Sequence, residues 1–134
     1  MVKKIVLDAN VIISAFGWRG SPHKIFQGCV KGNFQLYLSP PLLLEISKVL
    51  SYKKLNFEQN DIDEFLSIII ETANFINPNL TINLVADDPS DNRIIECALA
   101  AECDYIITGD KHLLRINKFY GISILSPDKF LKLI

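Results

Sequence analysis

Two hydrophobic rhythms take turns along this chain. Short runs of Ile, Val and Leu give way to stretches whose apolar residues recur every three or four positions. Lys3 to Leu7 reads as a buried strand and Ala9 to Phe16 as a short helix behind it. Gly17-Trp18-Arg19-Gly20 is a loop. Ser21-Pro22 sets an N-cap residue before a proline at the first helical position, so a helix starts there, and Gly32 closes it. Phe34 to Leu38 is a second strand. Ser39-Pro40 repeats the start signal, and Leu42, Ile46, Val49 and Leu50 mark one face of a helix running to about Ser51. Beyond a connector from Tyr52 to Phe57, the pattern Ile62, Phe65, Leu66, Ile69, Ile70, Ala73 predicts a long amphipathic helix from Glu58 to Asn74. Asn77-Pro78-Asn79 breaks it. Leu80 to Val85 alternates and predicts a third strand. Asp88-Pro89 opens a helix to about Glu102. Asp104 to Ile107 and Ile122 to Leu125 are the fourth and fifth strands, and Ser126-Pro127 starts a final helix through Leu133.

Strands alternating with helices predict an α/β fold, a parallel sheet covered on both faces and joined by right-handed crossovers. At 134 residues, without linker, repeat or low-complexity stretch, residues 1–134 are expected to form a single domain. Hydrophobic residues make up 49%, which points to a dense core. Cys29, Cys97 and Cys103 form no Cys-x-x-Cys pair, and an odd count without a framework fits a reducing compartment. The apolar run before Asp8 is too short for a signal segment or a membrane span, so a cytoplasmic protein with no membrane association is expected. The net charge of −1 lends no bulk support to nucleic-acid binding, although a local basic rim or bound cations would supply the positive field.

The chemistry lies in four acids far apart in sequence. Asp8 follows the first strand, Asp110 closely follows the fourth, Asp91 opens a helical pattern and Glu45 sits inside another. A parallel sheet would carry them toward the carboxyl ends of its strands, where open α/β sheets bind ligands. Each aspartate taken singly also reads as a helix cap: Asp8 after the first strand, Asp88 with Asp91 in a capping box, Asp110 before a short turn through Leu114. Glu45 borders the apolar face of its own helix and needs a cationic partner there. Taken together, with Asp87 and Asp88 beside Asp91, Asn10 two after Asp8 and Thr108 two before Asp110, the acids point to a divalent metal. Clustered carboxylates repel one another unless a cation joins them, and oxygen ligands suit one.

The ordered segments Val6-Leu7-Asp8-Ala9-Asn10-Val11, Ser39-Pro40 with Glu45, Asp88-Pro89-Ser90-Asp91-Asn92 and Thr108-Gly109-Asp110 resemble the PIN-domain nucleases. Within them the chain looks most like the VapC-like toxins of toxin–antitoxin pairs. The resemblance covers essentially the whole chain. It implies a three-layer α/β/α fold with a central parallel five-stranded sheet of order 3-2-1-4-5. It also implies a ribonuclease site in which Asp8, Glu45, Asp91 and Asp110 hold one or two Mg²⁺ or Mn²⁺ ions. Asn10, Thr108 and Asp88 fall on supporting polar positions. Many members have a further aspartate two residues after the fourth acid, where this chain has His112. The partners implied are an RNA substrate, a small antitoxin whose tail blocks the acidic site, and a second copy in a homodimer. The expected cuts leave 5′-phosphate and 3′-hydroxyl ends, and neither His23 nor His112 is needed as a general base.

Arg19, Lys24, Lys48, Lys53, Lys54 and Arg93 are candidates for phosphate contacts, and equally for an ordinary charged surface. Trp18 would stack an unpaired base or anchor a protein interface. Two other enzyme classes fit less well. A haloacid-dehalogenase-like phosphatase would want an acid at Asn10 and another at Leu114, and a receiver domain would want adjacent acids after the first strand. The non-enzymatic reading is an inactive PIN scaffold that binds RNA or protein, for which His112 is the best support.

Overall fold

Ile5, Val6 and Leu7 are all 0% exposed in the computed structural model. Successive strand side chains point to opposite faces, so this strand is covered on both. The structure describes residues 2–83 and 89–134, apart from the side chains of residues 89 and 90. The central strand is β1 (Lys3–Leu7). It pairs in parallel with β2 (Phe34–Leu38) on one side and β4 (Tyr105–Ile107) on the other. Beyond β2 lies β3 (Asn74–Phe75), and beyond β4 lies β6 (Ile122–Leu125), both parallel. β5 (Lys118–Phe119) adds an antiparallel edge, giving the order β3-β2-β1-β4-β6-β5. The five parallel strands keep the expected order 3-2-1-4-5, with β6 as the fifth.

Helices α1 (Ala9–Gly17), α2 (Ser21–Val30), α3 (Pro40–Leu50), α4 (Gln59–Thr72), α5 (Pro89–Ala100), α6 (Lys111–Ile116) and α7 (Pro127–Leu133) cover the sheet. The starts of α2, α3 and α7 carry the predicted prolines. α1 packs on α2 and α3, and α5 packs on β1, β2 and β4. Phe130 of α7, fully buried, meets Phe34 and Tyr105 edge-on at 5.1 and 5.3 Å. A Ser21 hydroxyl bond to the Asp128 carboxylate ties α2 to α7. The three cysteines are buried, and burial pushes each thiol up to about 12, so they act as small core residues. Among the described residues no helix is long and apolar enough to cross a membrane.

Two elements differ from expectation. Of the expected third strand, residues 80–83 are irregular, and Leu84 and Val85 lie outside the described residues. The strand beside β2 is Asn74–Phe75, just after α4 stops at Thr72. The open edge of β2 offers partners there: Asn74 Nδ2 donates to the Leu36 carbonyl at 3.3 Å and Ile76 N–H to the Leu38 carbonyl at 2.9 Å. β5 was not expected at all. A two-residue turn joins it to β6, with Tyr120 at φ 48° and Gly121 at φ 82°, the left-handed pair a tight hairpin requires.

Candidate functional site

β1 delivers Asp8 to its carboxyl end, where the Asp8 N–H donates to the Ile107 carbonyl of β4 at 3.0 Å. Asp8 stands at the N-cap of α1, its carboxyl close to the Ala9 and Asn10 N–H groups but without a well-formed cap bond. Its partner is Thr108, 0% exposed, whose hydroxyl donates to Asp8 Oδ2 at 2.7 Å. The same hydroxyl oxygen accepts the Asp110 N–H at 3.0 Å. One threonine therefore fixes the side chain of the first acid and the backbone of the fourth. Asp110 caps α6: its Oδ1 accepts from the N–H groups of His112 and Leu113 at 2.7 and 3.2 Å. The capping reading of Asp110 thus holds alongside any other role, and both cap bonds fall on one oxygen.

Asp8, Asn10, Gly109, Asp110, Lys111 and His112 line one cleft of about 480 Å³. Burial raises the Asp8 carboxyl above its ordinary value, and the Asp110 charge adds to this. The Thr108 hydroxyl and the backbone N–H groups of Asn10 and Ala9 oppose it. An acid held in this way favours either a proton or a cation beside it.

The remaining acids are placed differently. Asp91 is buried in the first turn of α5, next to buried Asn92. Glu45 is half-buried on α3 and lines a second cleft of about 360 Å³ with Lys48, Tyr52 and Arg93. Asp87 and Asp88 lie outside the described residues. Of the cation candidates, Arg93 is engaged: its Nη2 donates to Glu96 Oε2 at 2.8 Å and to the Ile82 carbonyl at 3.2 Å. Arg19 donates to His23 Nε2 at 3.2 Å, and Lys24 is exposed. Lys53 and Lys54 sit on a 3-10 turn after α3, and Lys53 lines yet another cleft with Asn56 and Phe57. Trp18 is 59% exposed and touches Phe57 edge-on, with centroids 6.3 Å apart.

The PIN domain family matches residues 4–112. The chain belongs to the PIN-domain family. This PIN domain is also similar to a chain of VapBC2 from Rickettsia felis, solved bound to a DNA fragment from their promoter. The TM-score is 0.62 at 16% identity, over 90% of this chain and 96% of that one. PAE2754 from Pyrobaculum aerophilum aligns with a TM-score of 0.65 at 13% identity, over 98% of this chain and 89% of that one. At such identities the likeness concerns the fold. No curated protein sequence matches the chain.

The donors in the PIN-domain cleft are hard oxygens, suited to Mg²⁺ or Mn²⁺ rather than to a soft metal. Among the described residues no three His, Cys, Asp or Glu side chains stand together as a ready cage. Mg²⁺ does not require one, since it keeps several waters and binds through one or two carboxylates plus substrate phosphates. Asp8 and Asp110 on one cleft meet that requirement.

Two charged residues went unnoticed in the sequence. Glu96 is buried on α5, where its Oε2 accepts both from Arg93 and from the Ile82 N–H at 2.8 Å, pinning the irregular stretch before α5. An acid among the apolar positions Ile94, Ile95 and Cys97 was the available signal. Lys111 lines the cleft itself, and its signal was simply its place after Asp110.

Proposed function

We propose that this PIN domain is a metal-dependent endoribonuclease and the toxin of a toxin–antitoxin pair. The observation that carries the reading is the cleft in which buried Asp8 and helix-capping Asp110 are joined through one threonine hydroxyl. Asp8 and Asp110, together with Asp91 of α5 and Glu45 of α3, would hold one or two Mg²⁺ or Mn²⁺ ions. A bound ion would supply Lewis-acid polarisation of the phosphodiester and a more acidic attacking water. Thr108 holds the Asp8 carboxylate in one orientation, and Asn10 offers an amide at the exposed rim. Lys111 sets a positive charge beside the acids, where the substrate's phosphate enters. The expected ends are 5′-phosphate and 3′-hydroxyl.

The likeness to a VapBC2 chain supports an antitoxin partner. The cleft between α3 and α4, lined by Pro40, Leu43, Leu44, Leu66 and Ile70, is apolar and suits a protein surface, whether antitoxin or second copy. Cleavage of a pool of single-stranded and structured RNA in Mg²⁺, Mn²⁺ or EDTA tests the activity. Asp8→Asn and Asp91→Asn should each lower the rate roughly 10²–10³-fold, the usual loss for one preorganised electrostatic group. Folded, antitoxin-free protein that cuts nothing in any metal would make the domain a binding scaffold.

A further inference from the structure

We propose that the solvent face of α6, Lys111 with Arg115, continued by Lys118 at the start of β5, is a track for the backbone phosphates of single-stranded RNA leaving the acidic cleft. The inference rests on the nuclease reading of that cleft. α6 sends Leu113 fully into the core, which leaves Lys111, His112 and Arg115 on its exposed face. Lys111 and Arg115 are four positions apart, so they stand on one side of the helix, about 6 Å apart along its axis. Lys111 also lines the cleft with Asp8 and Asp110, so this face begins inside the cleft and leads out of it. The helix ends at Ile116, Asn117 turns the chain at φ 65°, and Lys118 follows, exposed.

Lys111, Arg115 and Lys118 are all exposed, and none of them forms an ion pair with another described residue. Arg93, by contrast, is committed to Glu96 and the Ile82 carbonyl. A chain with a net charge of −1 repels a polyanion unless positive charge is concentrated where the strand runs. Single strands bind along positively charged grooves and release counterions at each phosphate contact. His112 on the same face lacks the negative charge of an aspartate, so it adds no further acid to Asp8 and Asp110 in the cleft.

Binding of labelled single-stranded RNA, measured by anisotropy in EDTA over a salt series, tests the track separately from cleavage. Each phosphate contact contributes about 0.7 to the slope of log affinity against log salt, so Arg115→Gln with Lys118→Gln should flatten it by about 1.4. Arg115→Lys with Lys118→Arg should restore the slope, and Lys31→Gln at the C-cap of α2 should leave it unchanged. An unchanged slope in the double Gln variant, or no binding by the wild type, overturns the proposal. A preference for duplex DNA that is lost in the double variant overturns it too. Track-dependent binding without cleavage in Mg²⁺ would sink the nuclease reading and leave the track standing. Cleavage with track-independent binding would do the reverse.

Discussion

Asp8 is buried at a price in stability that depends on pH. Its folded-state carboxyl holds a proton to higher pH than the ordinary aspartate value of 3.8, chiefly because burial disfavours the charge. Below 3.8 both folded and unfolded chains are protonated there and the group is neutral in its effect. As pH rises from 3.8 through the raised value, the unfolded chain releases the proton first, and stability falls. Asp8→Asn removes that loss and can still accept from the Thr108 hydroxyl. In EDTA at neutral pH the variant should melt at a higher temperature than the wild type, with the gap closing as pH falls toward 4. Adding Mg²⁺ should raise the melting temperature of the wild type alone. A variant that melts lower than the wild type in EDTA at neutral pH would contradict this account. Their places just past buried strands made Asp8 and Thr108 candidates, although Asp8 alone read equally well as a helix cap. Those places did not announce their bond, because a hydrogen bond between such distant positions depends on which strands become neighbours.

Elements were legible where their signals are local. Ser21-Pro22, Ser39-Pro40 and Ser126-Pro127 each start a helix because proline fits the first turn and its missing N–H costs nothing there. β3 and β5 were illegible because each is two residues long and owes its existence to a neighbour's open backbone groups. At the hairpin into β6, local preference and final structure conflict outright. Tyr120 takes φ 48°, a region where a bulky side chain is strained, and it is 82% exposed, so no burial compensates. Tyr120→Asn should therefore stabilise the fold by about 0.5–1 kcal/mol, Asn being at home in the left-handed region. Chemical denaturation would measure the gain, and a loss of stability would show that the phenol ring's edge contact with Phe119 outweighs the strain.

On the scale of the whole molecule, the last helix closes the sheet's core. Phe130 inserts between Phe34 of β2 and Tyr105 of β4, and so joins strands on either side of β1. Phe130→Ala should cost about 3–5 kcal/mol. Domains of this kind hold only about 5–15 kcal/mol in total, so the loss is a large share of the whole and should lower the melting temperature by roughly 10–25 °C. Circular dichroism would show it, and a change under 1 kcal/mol would mean that α7 is dispensable. The alternation of elements announced a parallel sheet with right-handed crossovers, whereas the strand order came with the resemblance to PIN domains. The convergence of acids was readable only in part. Asp8 and Asp110 meet through adjacent strands β1 and β4, whereas the places of Glu45 and Asp91 depend on how α3 and α5 are rotated against the sheet.

The Thr108–Asp8 hydrogen bond joins residues 100 positions apart. Synthesis therefore makes Asp8 100 residues before the threonine that completes the other wall of the cleft. A chain that stops between the two lacks that wall. Whatever this cleft does to its substrate waits until those 100 further residues have been made.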